Sequence, residues 1–222
     1  MNAIRKTVKE LIRTIGFEVH PIYKGMKKFD EKAFSELCKT NLFQLNEHRI
    51  QKIHYGCGPN LFGDHWINVD IADKQPELGK VYSAVNLIRK HPFPSNFFLY
   101  GFSEDFLEHL DQSEALIFLS EAFRTLHPCG VLRLTFPGLR GILKKHYKSG
   151  DFEGAAIGQS DAYTHWEHKH FFCEESLSIV AKHIGFSEIT FYEYGKSKHQ
   201  ELMNLETRIN QKDINIYAEL KK

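Results

Sequence analysis

The chain has 222 residues, of which 42% are hydrophobic and 26% are charged. At roughly 150 residues per domain, this length suits one domain with an extension, and the apolar share is that of a folded globular chain, which excludes general disorder. The 29 basic and 28 acidic residues leave a formal charge of +1. This balance excludes the capture of nucleic acid by charge alone, so no nucleic-acid partner is expected.

The sequence contains no segment typical of membrane insertion or export. Its longest uninterrupted apolar run extends only from Ala115 to Leu119, whereas a membrane span needs about 20 residues. The basic N-terminal stretch lacks the apolar core and cleavage site of a secretory signal. The four cysteines lie far apart without CxxC spacing, which is typical of reduced thiols. We therefore predict a cytoplasmic protein.

Residues 1–50 are predicted to form an N-terminal helical extension. Apolar residues recur at helical spacing among basic ones from Ile4 to Ile15, which indicates an amphipathic helix that ends at Gly16. A second helix is predicted from Glu31 to Leu42. Packing against the core is the favoured role of the first helix, and peripheral contact with anionic lipid is the alternative.

Residues 51–222 are predicted to form the main domain. Runs rich in β-branched and aromatic residues predict strands at Lys52–Gly56, Trp66–Asp70, Asn96–Phe102, Val131–Phe136, Glu188–Tyr194 and Ile214–Leu220. Apolar spacing predicts helices over Gln112–His127 and Glu174–Ile184. Strands that alternate with helices predict an α/β fold, Rossmann-like and doubly wound, with a mostly parallel sheet and one antiparallel edge strand.

A glycine-rich loop, Gly56–Asn60, follows the first predicted strand, and Asp70 closes the second. In a doubly wound sheet, ligands bind at the carboxyl ends of the strands, where the strand order reverses. Glycines allow a ligand to approach the backbone closely, and an acidic residue after the second strand can accept hydrogen bonds from ribose hydroxyls. Together these features predict a nucleoside-bearing cofactor, whereas the two glycines alone also fit a plain turn.

Further motifs follow in order along the chain. The set is Gly56–Asn60 (GCGPN), Ile67–Ile71 (INVDI), Pro92–Pro94 (PFP), Ser103–Leu110 (SEDFLEHL) and Glu121–Leu139 (EAFRTLHPCGVLRLTFPGL). In this order the motifs resemble class I S-adenosylmethionine-dependent methyltransferases, and the C-terminal segment is similar to that of small methyltransferases associated with surface-glycan genes. The resemblance covers residues 50–220. It implies a seven-stranded sheet, S-adenosylmethionine as cofactor, and O-methylation of a sugar, a glycan or another small hydroxylated acceptor.

The resemblance also implies cofactor-binding residues, with the first four against the methionine part and the ribose: Tyr55, Gly56, Cys57, Gly58, Asp70, Ile71, Asn86, Leu87 and Ser103. Asp70 would bind the ribose hydroxyls, and Ile71 would pack on the adenine. Asn86-Leu87 stands where the family commonly has Asp-Leu beside the adenine amino group, and the Asn amide oxygen can still accept a hydrogen bond. Ser103 would lie near the sulfonium.

Two departures from the general methyltransferase and dinucleotide-binding patterns bear on the cofactor. The stretch from Gly56 to Trp66 is too short for a helix between the first two strands, and no third glycine follows Gly58 at close spacing. A nicotinamide dinucleotide needs GxGxxG and a helix N-terminus for its pyrophosphate, so both departures disfavour it. A nicotinamide-dependent sugar oxidoreductase or epimerase, and a non-catalytic cofactor-binding assembly subunit, remain the alternatives.

The acceptor is predicted to lie between Ser103–His109 and Thr164–His170. Asp105 or His109 would act as general base, while a simple role at a helix start is the favoured interpretation of Glu104. His165 and His168 are predicted to contact the acceptor, with a solvated connector as the alternative interpretation of their loop. The histidines of that loop match no strong metal-site template, so no metal is predicted. The sequence leaves the oligomeric state open.

Overall fold

A computed structural model of the protein describes residues 30–222. The predicted basic helix from Ile4 to Ile15 lies outside the described residues. The chain divides into two units, with the boundary between Phe34 and Ser35. Within the larger unit, the second half of the first described helix buries Asn41 and Leu45. The domain boundary at residue 50 stays a prediction.

Five helices and seven strands make up the described chain. The helices are α1 (Glu31–Glu47), α2 (Gln112–Thr125), α3 (Leu139–His146), α4 (Phe152–Ser160) and α5 (Glu174–Ile184). The strands are β1 (Lys52–Tyr55), β2 (Trp66–Asp70), β3 (Val81–Ala84), β4 (Phe98–Glu104), β5 (Leu126–Pro137), β6 (Glu188–Phe191) and β7 (Asn215–Lys221). Short 3₁₀ turns lie at Leu107–His109, Gln200–Leu202 and Ile209–Gln211, and a π turn lies at Asp161–His165. None of these helices is long and apolar enough to cross a bilayer.

The strands form one sheet in the order β3-β2-β1-β4-β5-β7-β6. Neighbouring strands from β3 to β5 are parallel, and β7 runs antiparallel to both β5 and β6. The predicted fold class, a mostly parallel seven-stranded α/β sheet, is confirmed. Antiparallel pairing is confined to one side of the sheet, where β7 lies one place in from the edge strand β6.

The two faces of the sheet are covered differently. Ile53, Val69 and Leu132 belong to the main core, which α2 and α5 complete with residues such as Phe118 and Leu177. On the opposite face, Trp66, Phe102 and Val131 pack with Leu202 and Phe62. Those partners lie in the loop between β1 and β2 and in the segment between β6 and β7, which carry turns and short 3₁₀ helices. The crossover after β1 is too short for a helix, as the sequence predicts.

A buried ion-pair network holds the segment between β6 and β7 against this second face. Arg133 on β5 is fully buried, donates from Nε to Glu206 Oε1 at 2.6 Å, and donates from Nη1 to Glu219 Oε1 at 3.0 Å. A buried cation is stable only when paired in this way. The network therefore fixes Glu206. This residue precedes Arg208 and Gln211, which lie in the same segment near the carboxyl edge of the sheet.

Some elements escaped the sequence analysis. Strand β3 is only four residues long and helix α4 lacks apolar periodicity, while helix α3 has apolar residues at helical spacing over only eight residues. The predicted helix to His127 ends at Thr125, because Leu126 already pairs with Phe98 in the sheet.

Candidate functional site

The strand order reverses between β1 and β4, which places a crevice at their carboxyl ends. Tyr55 pairs in parallel register with Ser103, so the loops that follow these two residues leave the sheet side by side. Gly56 begins one loop, and Asp105 and Phe106 begin the other. The glycine-rich loop and the loop that carries the predicted bases therefore lie at the same edge of the sheet.

Gly56 and Gly58 both need the conformation that glycine alone adopts easily, with φ of +61° and +49°. A Cβ on Gly56 would lie 2.7 Å from the Phe106 ring, whereas a Cβ on Gly58 would meet open space. Asp70 holds the loop from the neighbouring strand, because its Oδ2 accepts a hydrogen bond from the Gly58 amide at 2.8 Å. Its Oδ1 accepts from the Ile71 amide at 2.6 Å.

A first cleft of about 180 Å³ opens beside this carboxylate. It is lined by Asp70, Ile71, Val85, Asn86, Leu87, Ile88, Phe106, Leu110, Glu114 and Lys169. The structure thus brings together four of the predicted cofactor-binding residues, which come from the ends of β2 and β3. Ile71 is 70% exposed and offers an apolar surface at the mouth, while Lys169 and Glu114 form an ion pair at 3.0 Å on the rim.

Three of the predicted cofactor contacts, Tyr55, Cys57 and Ser103, do not line this cleft. The Tyr55 hydroxyl is buried against Thr125 Oγ1 at 3.1 Å, because alternation along β1 turns this side chain toward α2, so only its backbone borders the crevice. The Cys57 side chain is also buried, and burial raises the pKa of its thiol to about 11. Ser103 is buried, and its Oγ has no hydrogen-bond partner within residues 30–222.

A second cleft, of about 340 Å³, lies beside Asp105 and the 3₁₀ turn that follows it. Its lining includes Asp105, Glu108, His109, Trp166, His168, Arg208 and Gln211. The predicted bases and one predicted acceptor residue, His168, therefore share one cavity. The 3₁₀ turn Leu107–His109 and the loop 164–170 are joined by backbone bonds, in which the amides of Lys169 and His170 donate to the Glu108 carbonyl at 2.8 and 3.2 Å.

Asp105 in the second cleft is an unusually weak acid for an aspartate. Burial, reinforced by the charge of Glu104, raises the pKa of its carboxyl to about 6, against the effect of Arg208 and Gln211. The Arg208 Nε lies 3.6 Å from Asp105 Oδ2, and the Gln211 amide nitrogen, turned toward Asp105, donates to Oδ1 at 3.0 Å. The backbone of Asp105 has a φ of +49°, and backbone strain of this kind clusters at functional sites.

Glu108 is the residue of this cleft that the sequence analysis missed. It is 1% exposed, and burial, followed by the nearby charge of Asp105, raises the pKa of its carboxyl well above the usual value. The rings of His109 and His168 lie edge to face at 4.9 Å. Burial lowers the pKa of both imidazoles, that of His168 to about 4 with the help of the His109 charge. The signal for Glu108 in the sequence was its position between the two predicted bases, Asp105 and His109.

Two other candidates lie outside the second cleft. The structure does not bring His165 to the predicted acceptor site: this residue ends the π turn, is exposed and packs on Trp166 with ring centroids 4.8 Å apart. Glu104 is not at a helix start, because it ends strand β4. Its carboxylate instead accepts hydrogen bonds from the Thr207 amide at 2.9 Å and the Thr207 hydroxyl at 2.7 Å.

Comparison with known proteins identifies the fold. No protein-family model matches the sequence, and no curated protein matches it significantly. Among solved structures, an S-adenosylmethionine-dependent methyltransferase from Mesorhizobium loti matches with a TM-score of 0.54 and 15% identity, over 78% of this chain and 91% of that one. The chain therefore has the fold of class I S-adenosylmethionine-dependent methyltransferases.

Two further structures share this fold. A possible histamine N-methyltransferase from Thermotoga maritima matches with a TM-score of 0.52 and 15% identity, over 85% of this chain and 99% of that one. Phosphoethanolamine N-methyltransferase 2 of Haemonchus contortus, solved with S-adenosylhomocysteine, matches with a TM-score of 0.50 and 14% identity, over 82% of this chain and 52% of that one. At these identities the likeness concerns the fold.

Proposed function

We propose that the protein is an S-adenosylmethionine-dependent methyltransferase that binds its cofactor at the Gly56–Asn60 loop and the first cleft. The observation that carries the proposal is the placement of Asp70: a carboxylate at the end of β2 is held against the Gly58 amide at 2.8 Å, beside an apolar cleft, at the point where the strand order reverses. The neighbour solved with S-adenosylhomocysteine supports this choice of cofactor.

The residues of the first cleft fit an adenosine group. Each Asp70 oxygen accepts one backbone hydrogen bond and keeps further acceptor capacity for the ribose hydroxyls. Ile71 and Leu87 supply apolar surface for the adenine, and Asn86 supplies an amide. Bound S-adenosylmethionine supplies an electrophilic methyl group on its sulfonium.

The second cleft would hold the acceptor, which we propose to be a sugar, a glycan or another small hydroxylated molecule, as the sequence resemblance implies. Asp105 lines the second cleft and Phe106, the next residue, lines the first, so the methyl group would pass between the clefts at this point of the chain. A carboxyl whose pKa lies at about 6 is ionised at neutral pH and can still take up a proton, as a general base requires. His109 is the second candidate for this role.

The alternatives fit the structure less well. Only turns lie between β1 and β2, so the glycine loop leads to no helix N-terminus for a nicotinamide dinucleotide's pyrophosphate. A non-catalytic subunit would have no use for the titratable groups gathered in the second cleft. A cytoplasmic location and the absence of a nucleic-acid partner complete the proposal, and both are drawn from the sequence.

Calorimetric titration of the full chain with S-adenosylhomocysteine, S-adenosylmethionine and NAD⁺ tests the cofactor. We expect the first two to bind, and Asp70→Ala to weaken binding about 10- to 100-fold, since hydrogen bonds to a charged group contribute about 1.5–3 kcal/mol. Asp73→Ala is the matched control, because this aspartate is exposed outside the cleft. Binding of NAD⁺ alone, or equal affinities in both variants, would contradict the proposal. A panel of hydroxylated acceptors with a labelled methyl donor then tests the reaction.

A further inference from the structure

Three side chains with metal-ligating atoms converge in the second cleft. Glu108 and His109 come from the 3₁₀ turn, and His168 comes from the loop 164–170. One ligand atom from each lies within 4.8 Å of the other two. We propose that Glu108, His109 and His168 form a binding site for a divalent transition-metal ion of the zinc class.

The strongest argument is the state of Glu108. Its side chain is 1% exposed, and both carboxylate oxygens lack a hydrogen-bond partner among residues 30–222. A buried carboxylate without partners is costly, and such groups in proteins are paired or coordinate metals. Its Oε1 lies 3.9 Å from Nε2 of His109, and Arg208 lies against Asp105. The Nδ1 atom of His168 is likewise buried without a hydrogen-bond partner in the described chain.

The ligand set selects the kind of ion. Two imidazoles and one carboxylate are the protein ligands of several catalytic zinc sites, in which the fourth position stays open, and nitrogen ligands disfavour Mg²⁺ and Ca²⁺, which prefer oxygen. Ligands about 2.0–2.2 Å from a tetrahedral ion stand roughly 3.3–3.6 Å apart, so the three side chains need to close by about 1 Å. The cleft of about 340 Å³ would leave the open position accessible.

The backbone holds these ligands in place before any ion binds. The Glu108 carbonyl accepts hydrogen bonds from the Lys169 and His170 amides at 2.8 and 3.2 Å. These bonds hold the 3₁₀ turn, which carries two of the ligands, against the loop 164–170, which carries the third. The Glu167 backbone lies against the His109 ring, and a carbonyl beside a ligating imidazole commonly fixes its tautomer. The prediction of no metal considered only the histidines of the loop, whereas this site takes its ligands from two distant segments.

The ion would act on the acceptor, a role that rests on the proposed function. A hydroxyl oxygen bound at the open position would become more acidic, and its proton would pass to the Asp105 carboxylate. The same oxygen would form a bond to the methyl carbon while the bond from that carbon to sulfur breaks, and the sulfur would keep the electron pair. His109 would then position the ion, and Asp105 would remain the base.

The test is a titration of the full chain, stripped of metal with a chelator, with Zn²⁺ by calorimetry and with Co²⁺ by its visible absorption. We expect one ion per chain with tetrahedral-type Co²⁺ bands. Glu108→Gln and His168→Ala should each weaken Zn²⁺ binding by more than ~10-fold. Mutation of residues that only hydrogen-bond to metal ligands already lowers metal affinity by that factor, and loss of a ligand should lower it further. The control is His170→Ala, a histidine of the same loop outside the cluster, which should keep the wild-type affinity.

Unchanged Zn²⁺ affinity in both ligand variants, or the absence of binding to the wild-type chain, would overturn the proposal. Glu108→Gln keeps the side-chain shape, and His168→Ala alters a residue that is only half-buried, so at least one folded variant is available, as melting temperatures will show. Titration with S-adenosylhomocysteine in the same samples separates the two proposals. Loss of Zn²⁺ with intact S-adenosylhomocysteine binding supports the metal site, whereas failure of every chain to bind S-adenosylhomocysteine contradicts only the proposed function.

Discussion

The two clefts at the carboxyl edge of the sheet differ in how they are built. The first takes most of its lining from short stretches at the ends of β2 and β3 and contains one strand-end carboxylate, Asp70. The second is assembled from the loop after β4, helices α3 and α4 with the π turn that follows, the loop 164–170 and the segment before β7, and it gathers three carboxyl groups and several basic side chains. The first is therefore suited to hold a common, partly apolar group, and the second to act on a polar one.

This difference explains which of the two sites a sequence can reveal. Asp70 and Ile71 are adjacent in the chain, as are Asn86 and Leu87, so the first cleft is visible as motifs. The second cleft depends on side chains about sixty residues apart, His109 and His168, whose rings meet only after folding. The difference between the clefts also predicts how they respond to substitution. Changes in the second cleft should affect turnover, and changes in the first should affect cofactor affinity.

The largest effect is expected from Asp105→Asn. If Asp105 is the base of the second cleft, this variant should lower turnover by ~10²- to 10⁴-fold, because an amide cannot take up the acceptor proton. Affinity for S-adenosylhomocysteine should stay unchanged, since Asp105 does not line the first cleft. Rates with a labelled methyl donor and calorimetry check the two parts.

His109→Asn is to be compared with Asp105→Asn. An equal loss of turnover in the two variants would mean that Asp105 and His109 act together. Full turnover in a chain that lacks both side chains would exclude general-base catalysis by these residues. A loss of cofactor affinity in Asp105→Asn would instead show that the two clefts are not independent.

The second-largest effect is expected from Arg133→Ala, which should lower the free energy of unfolding by about 3–5 kcal/mol. The substitution leaves Glu206 and Glu219 as buried carboxylates without their cation. Because Glu206 begins the segment that carries Arg208 and Gln211 to the second cleft, acceptor binding should suffer more than cofactor binding in the chain that remains folded. Chemical denaturation measures the first effect. Arg208→Ala, an exposed neighbour, is the control and should leave stability nearly unchanged.

The sequence predicted the sheet better than its coverings. Runs rich in β-branched and aromatic residues predicted six strands, and the alternation of strands with helix α2 and helix α5 predicted the parallel arrangement. The packing of the second face could not be predicted, since Phe62 and Leu202 lie in segments without periodicity and reach the sheet only through tertiary contacts. The buried Arg133 was hidden for a similar reason, because a charge within a strand is recognised as buried only when its partners are known.

For the candidate site, the sequence predicted which segments meet, but not the direction of each side chain. Motifs placed Asp70, Ile71, Asn86 and Leu87 together, but the alternation of side chains along a strand decides whether a neighbour faces the cleft. Tyr55 faces the core for this reason. Glu108 was overlooked because an acidic residue on a short turn is ordinarily solvated, and only the contact between that turn and loop 164–170 buries it.

A smaller effect separates the two glycines of the first loop. Alanine at either position would occupy a left-handed conformation, at a cost of about 1–2 kcal/mol. At Gly56 the added Cβ would also lie 2.7 Å from the Phe106 ring, which should add about 1–3 kcal/mol of overpacking. Gly56→Ala should therefore be the less stable variant by that difference in denaturation experiments. Equal stabilities would show that the Phe106 ring, which lines the first cleft, moves aside without cost.

The smallest effect is expected at the mouth of the first cleft. Ile71 is 70% exposed, so Ile71→Ala should change the free energy of unfolding by less than about 0.5 kcal/mol. If adenine packs on this side chain, the variant loses apolar contact on binding, which at about 25 cal/mol per Å² amounts to roughly 1 kcal/mol, or about fivefold in the Kd for S-adenosylhomocysteine. Ile179→Ala on helix α5 removes an equally exposed isoleucine far from the cleft and should leave the Kd unchanged. Because stability should be the same in both variants, a difference in Kd would report on the cleft itself. Identical Kd values would mean that the adenine lies against another surface of the first cleft, and Asp70 would then have to bind the ribose from a different direction.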